Sequence, residues 1–354
     1  MTLTEVVVVS GSYGAGHDVA ADAIEHQLRR AGHAVRRLDV AEELPWRLGH
    51  LLRWLYFSQL RLAPGSWRST LGSLERDGLA LRVVRRLLSL LGGHLVREVA
   101  GAGLVVSTHP FASQALGEAR ARGALDVPVV TYLTDASVHR LWVHPAVDLH
   151  LAIHEVAAGQ ARALGGTAAA VHPAVPEPSG AVPDEALPWP AGRPAALVVG
   201  GSLGIGDLHR SALDLLATGL VTPVVACGTN DRLREQVAAE PGVVALGWRD
   251  DLPALMAAAA CVVQNAGGMS SLESLTAGTP TLTYRPIAGH GESNAAALDR
   301  AGLVPWVADT EALRSALGRV LLTRRCADLP SAPSVVETLE TVGLLTGVPT
   351  LVAA

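Results

Sequence analysis

Four clusters of residues have the types and spacing to do chemistry. The first is Ser10-Gly11-Ser12-Tyr13-Gly14-Ala15-Gly16-His17, a glycine-rich turn between a β-branched run and a helical stretch. Its glycines permit positive φ and close backbone approach. His17 falls at the helix start, where the positive dipole end disfavours an imidazolium and leaves a neutral base. A tight turn carrying a surface histidine explains the same residues equally well, and the spacing is not that of a dinucleotide fingerprint. The second cluster is Thr134-Asp135-Ala136-Ser137-Val138-His139-Arg140-Leu141-Trp142, at the end of a strand. It offers a carboxylate and an imidazole for proton transfer, or a hydrogen-bonded loop in which Asp135 orients His139. Asp135, His139 and His144 are too thin a set to assign a metal.

The third cluster is Gly200-Gly201-Ser202-Leu203-Gly204-Ile205-Gly206, again between a strand and a helix. Its backbone N–H groups and Ser202 could hold a diphosphate, and a structural turn is the alternative. The fourth runs from Cys261 to Leu303. Gly267 and Gly268 would let backbone approach a ligand, followed by Met269. Ser270 or Ser271 would cap the next helix. Glu273, near the first turn, could take both hydroxyls of a ribose or could simply favour the helix dipole. The run His290-Gly291-Glu292-Ser293-Asn294 opens a further helix.

Alternating strands and helices must position these clusters. Strands are expected at Glu5–Ser10, Leu104–Ser107, Val127–Leu133, Asp148–Ala152, Ala195–Val199, Pro223–Ala226, Val243–Leu246, Cys261–Gln264, Pro280–Tyr284 and Val304–Val307, with helices between. Apolar strands in such an alternation make parallel sheets covered on both faces. Seven prolines fall between Pro173 and Pro194. The pattern therefore divides into a first domain over 1–172, a proline-rich linker over 173–194 and a second domain over 195–354. A helix is expected around Ser334–Leu345. Ligands in doubly wound sheets bind at the strand C-termini, so two such domains imply a shared cleft.

Composition excludes several functions. All 28 basic residues are Arg, and the chain has no lysine. This rules out Schiff-base and pyridoxal-lysine chemistry, the P-loop nucleotidases and ordinary protein kinases. The net charge of −5 argues against a nucleic-acid partner. The charge is uneven. Residues 1–172 carry 17 Arg and 15 acids, whereas 173–354 carry 11 Arg and 18 acids. Cys227, Cys261 and Cys326 suggest neither a disulfide framework nor a zinc site. No basic leader and no apolar run of about 18 residues is visible, so a cytoplasmic protein is expected.

The fourth cluster resembles the nucleotide-sugar site of two-domain (GT-B) glycosyltransferases. The nearest likeness is to monogalactosyl- and glucosyl-diacylglycerol synthases and the peptidoglycan GlcNAc transferase (MurG-like). Ser270, Glu273, Gly278 and Pro280 carry it in register. So do Gly14 to His17, Thr108-His109-Pro110 and the Thr-Asp-x-x-x-His-x-x-Trp run. The resemblance implies a GT-B α/β fold of two Rossmann-like domains. It implies that Glu273 holds the ribose, that Gly200, Gly201 and Ser202 hold the diphosphate, and that Gly247-Trp248-Arg249 read the base. Gly267, Gly268, Met269, Ser270 and the run His290, Gly291, Glu292 and Asn294 complete the donor side. That last run departs from the family's Gln-Gln and Gln-Glu forms.

The implied reaction is an inverting, metal-independent transfer from a UDP-sugar to a hydroxyl of a lipid or hydrophobic natural product, with no cofactor. Asp135 or His17 would be the base, with His139 assisting. The acceptor side comprises Tyr13, Gly14, Gly16, His109, Trp54 and Phe57. Residues 44–74 hold Arg47, Arg53, Arg61 and Arg68, no acid, and five of the 13 aromatics. They read as a membrane or hydrophobic-acceptor face at the inner side of the membrane, or as core helices with Arg on the wet side. The rival functions are a UDP-sugar 2-epimerase and a non-catalytic nucleotide-sugar-binding subunit.

Overall fold

The computed structural model describes residues 5–12, 14–43, 78–176, 187–329 and 331–345. The first unit runs β1 (Val6–Ser10), α1 (Ala15–Arg30), β2 (Val35–Asp39), α2 (Val40–Glu43), α3 (Leu79–Leu91), α4 (Gly93–Val99), β3 (Leu104–Ser107), α5 (Pro110–Ala121), β4 (Val129–Tyr132), β5 (Leu149–Ala152), α6 (Glu155–Ala163) and β6 (Ala168–Ala170). The second runs β7 (Ala195–Val199), α7 (Leu208–Ala217), β8 (Thr222–Ala226), α8 (Asp231–Ala238), β9 (Val244–Leu246), α9 (Leu252–Ala258), β10 (Cys261–Gln264), α10 (Met269–Thr276), β11 (Thr281–Tyr284), α11 (His290–Arg300), β12 (Trp306–Val307) and α12 (Thr310–Thr323). A last helix, α13 (Val335–Thr341), follows.

Each unit holds one six-stranded parallel sheet, ordered β2-β1-β3-β4-β5-β6 and β12-β11-β10-β7-β8-β9. The order reverses between β1 and β3 in the first and between β7 and β10 in the second. These are the topological switch points where an open crevice forms. β1 is four valines and a serine, buried throughout. Its alternate side chains feed two cores. Val6 and Val8 pack with Ile24 and Leu28 of α1, while Val7 and Val9 pack with Leu95, Val99 and Leu116 of α4 and α5.

Every expected strand is present, with ends shifted by a residue or two. β2 and β6 are additional. β2 reads Val-Arg-Arg-Leu-Asp and is half-buried at a sheet edge; β6 is three alanines at the other edge. Neither carries the β-branched run that marks the central strands.

α13 differs from expectation in its location. Placed by sequence with the second domain, it instead completes the core of the first. Val335 and Leu339 are wholly buried in the cluster that contains Val6, Ile24 and Leu28. Ser334 starts it with a capping box: its Oγ accepts from Glu337 N (3.2 Å), and Glu337 Oε2 accepts from Ser334 N (2.7 Å). The chain therefore passes between the units twice. His172 N donates to Pro333 O (2.9 Å) where the two passages meet, and Ala174 N donates to the buried Tyr132 hydroxyl (2.8 Å).

α3 has two faces. Leu81 and Leu88 are buried, and Arg85 donates to the carbonyls of Arg140 (3.2 Å) and Val143 (3.3 Å). Opposite, Leu79, Val83, Leu87 and Leu90 form an exposed apolar stripe, with Leu79 72% exposed. Arg82 and Arg86 are exposed beside it, and the helix contains no acid. Among the described residues, no helix is long and apolar enough to cross a membrane.

Leu339→Ala is expected to destabilise the protein by about 2–5 kcal/mol through lost burial and a residual cavity. The exposed Glu340→Ala should stay within about 0.5 kcal/mol. Denaturant midpoints of the two variants test the docking of α13.

Candidate active site

The first switch point presents His17, the third residue of α1. Gly14 caps that helix without a side chain, and His17 N donates to Gly14 O (3.2 Å). His17 Nδ1 lies 2.7 Å from Thr108 O. A carbonyl only accepts, so Nδ1 carries the proton and Nε2 keeps its lone pair. Thr108 Oγ1 returns a bond to His17 O (2.9 Å). Burial lowers the pKa of His17, opposed by the nearby Asp135 carboxylate. The result is a neutral imidazole whose Nε2 has no hydrogen-bond partner among the described residues.

Asp135 is held at both oxygens. Trp142 Nε1 donates to Oδ2 (2.9 Å) and Asn294 Nδ2 to Oδ1 (3.2 Å). Burial pushes its pKa up, but His290, His139, His17 and the indole bond together bring it below the usual carboxylate value. Asp135 therefore stays ionised. Sequence suggested that it orients His139; the carboxylate is committed to Trp142 and Asn294 instead. His139 keeps Nδ1 buried without a hydrogen-bond partner among the described residues. Burial lowers its pKa to about 4 against the pull of Asp135. His144 does not join the pair. It lies against Gly117, where a Cβ would meet its ring at 2.5 Å, and pairs with Glu118 at 3.5 Å. Among the described residues, no three metal-ligating side chains converge.

The residues expected on the acceptor side fall in different settings. His109 is buried and caps α5, its Nδ1 accepting from Phe111 N at 3.2 Å. Its ring packs edge-on to His17, with centroids 4.6 Å apart. It supports His17 from behind. Gly11, to which sequence gave no separate role, makes that possible, because a Cβ there would meet the His109 ring at 2.7 Å. Gly16 faces the other unit: a Cβ would come within 3.0 Å of Met269 Cγ. Met269 is itself buried, so its contact is with α1 and not with a donor. Gly14 is open. Tyr13, Trp54 and Phe57, and the whole of 44–74, lie outside the described residues.

The second switch point is built from two turns. Gly201 and Gly204 adopt φ of +71° and +53°. A Cβ on Gly204 would sit 2.4 Å from Cys227 O, so the loop is pressed against its neighbour. Gly200 is tight against Leu208, while Gly201 is exposed and the Ser202 hydroxyl has no partner among the described residues. Asp207 caps α7 without a side-chain bond. Asn265, missed in the sequence, ties the loop to the 265–268 turn: its Nδ2 donates to Ile205 O at 2.8 Å. Its only sequence signal is its place between a strand end and two glycines.

α10 begins at Met269, two residues earlier than a Ser270 cap would place it. Gly268 is its cap and Ser270 is already inside the first turn, so neither Ser270 nor Ser271 caps it. Glu273 is the fifth helical residue, beyond capping reach. It is half-buried, and its carboxylate has no hydrogen bond or ion pair among the described residues. Burial raises its pKa to about 6. In the loop after β9, beyond Gly247, Arg249 is committed to Asp251 (Nε to Oδ1, 2.7 Å), while Trp248 is 55% exposed and donates to Asp250 (2.8 Å).

On α11, Gly291 is buried against Asn265 O, and Glu292 Oε2 accepts from Gly289 N (3.0 Å), which closes the helix start. Asn294 is buried and fully engaged. Its Nδ2 donates to Asp135 and to Ala266 O (3.1 Å), and its Oδ1 accepts from Ser137 N (2.9 Å) and Oγ (2.7 Å). The expected donor contact has no group left to make it. Between the units lies a cavity of about 290 Å³, lined by Asp135, His139 and Gln160 from the first and His290, Ser293 and Arg300 from the second.

Residues 17–174 match the monogalactosyldiacylglycerol (MGDG) synthase family. A processive diacylglycerol beta-glucosyltransferase of Bacillus cereus is 22% identical over 327 residues, 86% of this chain and 82% of that protein. Among solved structures, the glycosyltransferase SsfS6 of Streptomyces sp. SF2575, complexed with thymidine diphosphate, superposes with a TM-score of 0.60 at 16% identity over 96% and 99% of the two chains. MurG of Acinetobacter baumannii gives 0.54 at 16% identity over 90% of each chain. Both the expected fold and the expected enzyme class are borne out: the chain has the two-unit GT-B fold of these glycosyltransferases and resembles MGDG synthase over residues 17–174.

Proposed function

We propose that this protein transfers a sugar, with inversion, from a UDP-sugar to a hydroxyl of a diacylglycerol-like lipid. The observation that carries the reading is His17, neutral and with Nε2 unengaged among the described residues, beside the ionised Asp135. The acceptor hydroxyl gives its proton to His17 Nε2 while its oxygen forms the new bond to the anomeric carbon. The bond from that carbon to the phosphate oxygen breaks, and the nucleoside diphosphate leaves with the electron pair. Asp135 is a poor base, since both its oxygens hold donors, but its charge favours the imidazolium that forms.

Glu273 suits a ribose. A desolvated carboxylate without a partner is costly, and two hydroxyl donors would satisfy it. The open amides of the Gly201 loop and the N-terminus of α7 suit the diphosphate, with no lysine required. The exposed Trp248 ring and the backbone of its loop suit the base. No metal or cofactor takes part in this reading. The α3 stripe, acid-free with Arg82 and Arg86 alongside, suits the anionic inner face of a membrane.

His17→Ala should lower kcat by about 10²–10⁴-fold while UDP binding by calorimetry is unchanged. Near-parental kcat places the base elsewhere. Transfer should be screened with UDP- and TDP-sugars on diacylglycerol and on soluble acceptors, with EDTA expected to leave the rate unchanged. An epimerised nucleotide sugar released without acceptor would overturn the transferase reading.

Glu273→Gln should weaken UDP binding by about tenfold or more, as expected for a lost pair of hydroxyl contacts. It should also stabilise the fold. The folded carboxyl titrates near 6 against a usual 4.5, so its favourable contribution is complete below pH 4.5 and is lost as pH rises through 6. The variant should therefore melt higher than the parent at about pH 7.5, with the difference vanishing below about pH 4.5.

Leu87→Asp with Leu90→Asp should reduce co-sedimentation with phosphatidylglycerol vesicles about tenfold or more and leave soluble-acceptor turnover intact. Unchanged sedimentation would exclude α3 as the docking face.

A further inference from the structure

Asn294 belongs to the second unit, yet it spends its amide on the first. Its four hydrogen-bonding positions, two N–H donors and two lone pairs, are all filled. Three of those bonds cross between units: Nδ2 to Asp135 Oδ1 (3.2 Å), and Oδ1 from Ser137 N (2.9 Å) and Oγ (2.7 Å). The fourth, to Ala266 O (3.1 Å), anchors the amide to its own turn. Gly267 makes room for it: a Cβ there would lie 2.5 Å from Asn294 Cβ, on backbone already at φ +69°. The glycine is thus explained by the strut with no ligand required.

We propose that Asn294 is a positioning residue that fixes the Asp135 carboxylate only when the two units are together. With the units apart, Oδ1 loses its donor to water and the carboxylate keeps only its Trp142 bond. With them together, both oxygens are fixed and the side chain cannot rotate. The strut thereby couples closure of the cleft to the arrangement of the proton-transfer groups. Asp135 is faced by His17 from α1, by His139 from its own loop, and by His290 and Asn294 from α11. Asn294 is the member of that set that does not titrate, so its replacement by a carboxylate is the sharpest perturbation. The proposal rests on the catalytic reading above for its effect on turnover, but its structural content can be measured without turnover.

Asn294→Asp is nearly isosteric and sets two carboxylates against each other, which raises the pKa of one of them. The indole N–H resonance of Trp142, identified by its loss in Trp142→Phe, reports the Asp135 carboxylate. In the parent it should not move between about pH 5 and 8, because Asp135 stays ionised. In Asn294→Asp it should titrate within that range. Turnover should fall by about 100-fold at pH 8 and recover by about tenfold or more towards pH 5.5, with donor KM within about twofold of the parent. Asn294→Ala, which removes the bonds without adding charge, should shift the same resonance and lower kcat at every pH, with UDP binding unchanged. If either variant raises donor KM while the Trp142 resonance and the pH profile match the parent, Asn294 is a donor-sugar ligand and the proposal fails. A Trp142 resonance identical to the parent in both variants also overturns it. Should the parent transfer no sugar at all, the catalytic reading fails, while the resonance still decides the strut.

Discussion

A parallel sheet delivers the C-terminal ends of all its strands to one edge, and a reversal of strand order leaves a crevice there. Each sheet of this chain has one such reversal, and the candidate site is built from the loops that leave them. Both crevices are bridged in the same manner. His17 on one side reaches the Thr108 carbonyl on the other, and Asn265 reaches the Ile205 carbonyl. In each case a side chain following one central strand satisfies a backbone oxygen in the loop beside the next. Those two bonds hold the loops at a fixed separation. In the first unit the bond also sets the histidine tautomer, so a structural requirement and a chemical one are met by the same proton.

Electrostatics at the meeting of the units follow from what burial does to imidazole. His17, His109, His139 and His290 all lose affinity for a proton chiefly by desolvation. Asp135 among them is pushed up by desolvation but held below its usual value, because His290, His139, His17 and the Trp142 indole favour its charge. The site is therefore one anion among proton acceptors. Such an arrangement suits the removal of a proton better than its delivery. It also leaves phosphate charge to be met by amides and helix ends, in keeping with a chain that has no lysine.

The sequence shows the architecture more readily than the roles. The valine runs of β1, β3 and β4 and the two glycine turns read directly, since local sterics dictate them. β2 and β6 did not, because edge strands need no apolar run. His17, Asp135 and Glu273 emerged from their places at strand ends and on a helix. His109 and Asn294 were assigned to ligands by motif position, and the fold gives them other work. His109 is spent on a helix cap. Asn294 meets a carboxylate 159 residues away, a pairing for which no local pattern exists. The Trp of the Thr-Asp-x-x-x-His-x-x-Trp run proved to be the partner of the Asp. Six residues of irregular chain between them bring them together.

The return of the chain to the first unit has a mechanical consequence. Two segments join the units, and they are fastened to each other by the bond from His172 N to Pro333 O. A single tether would let one body spin and swing about the other. A paired tether acts more like a door hinge, which restricts the twisting freedom. Any opening of the cleft is then confined to a path along which Asn294 leaves and re-enters the same place beside Asp135 and Ser137. Registry between distant side chains is restored on every closure without a search, because the axis carries the memory of the closed geometry.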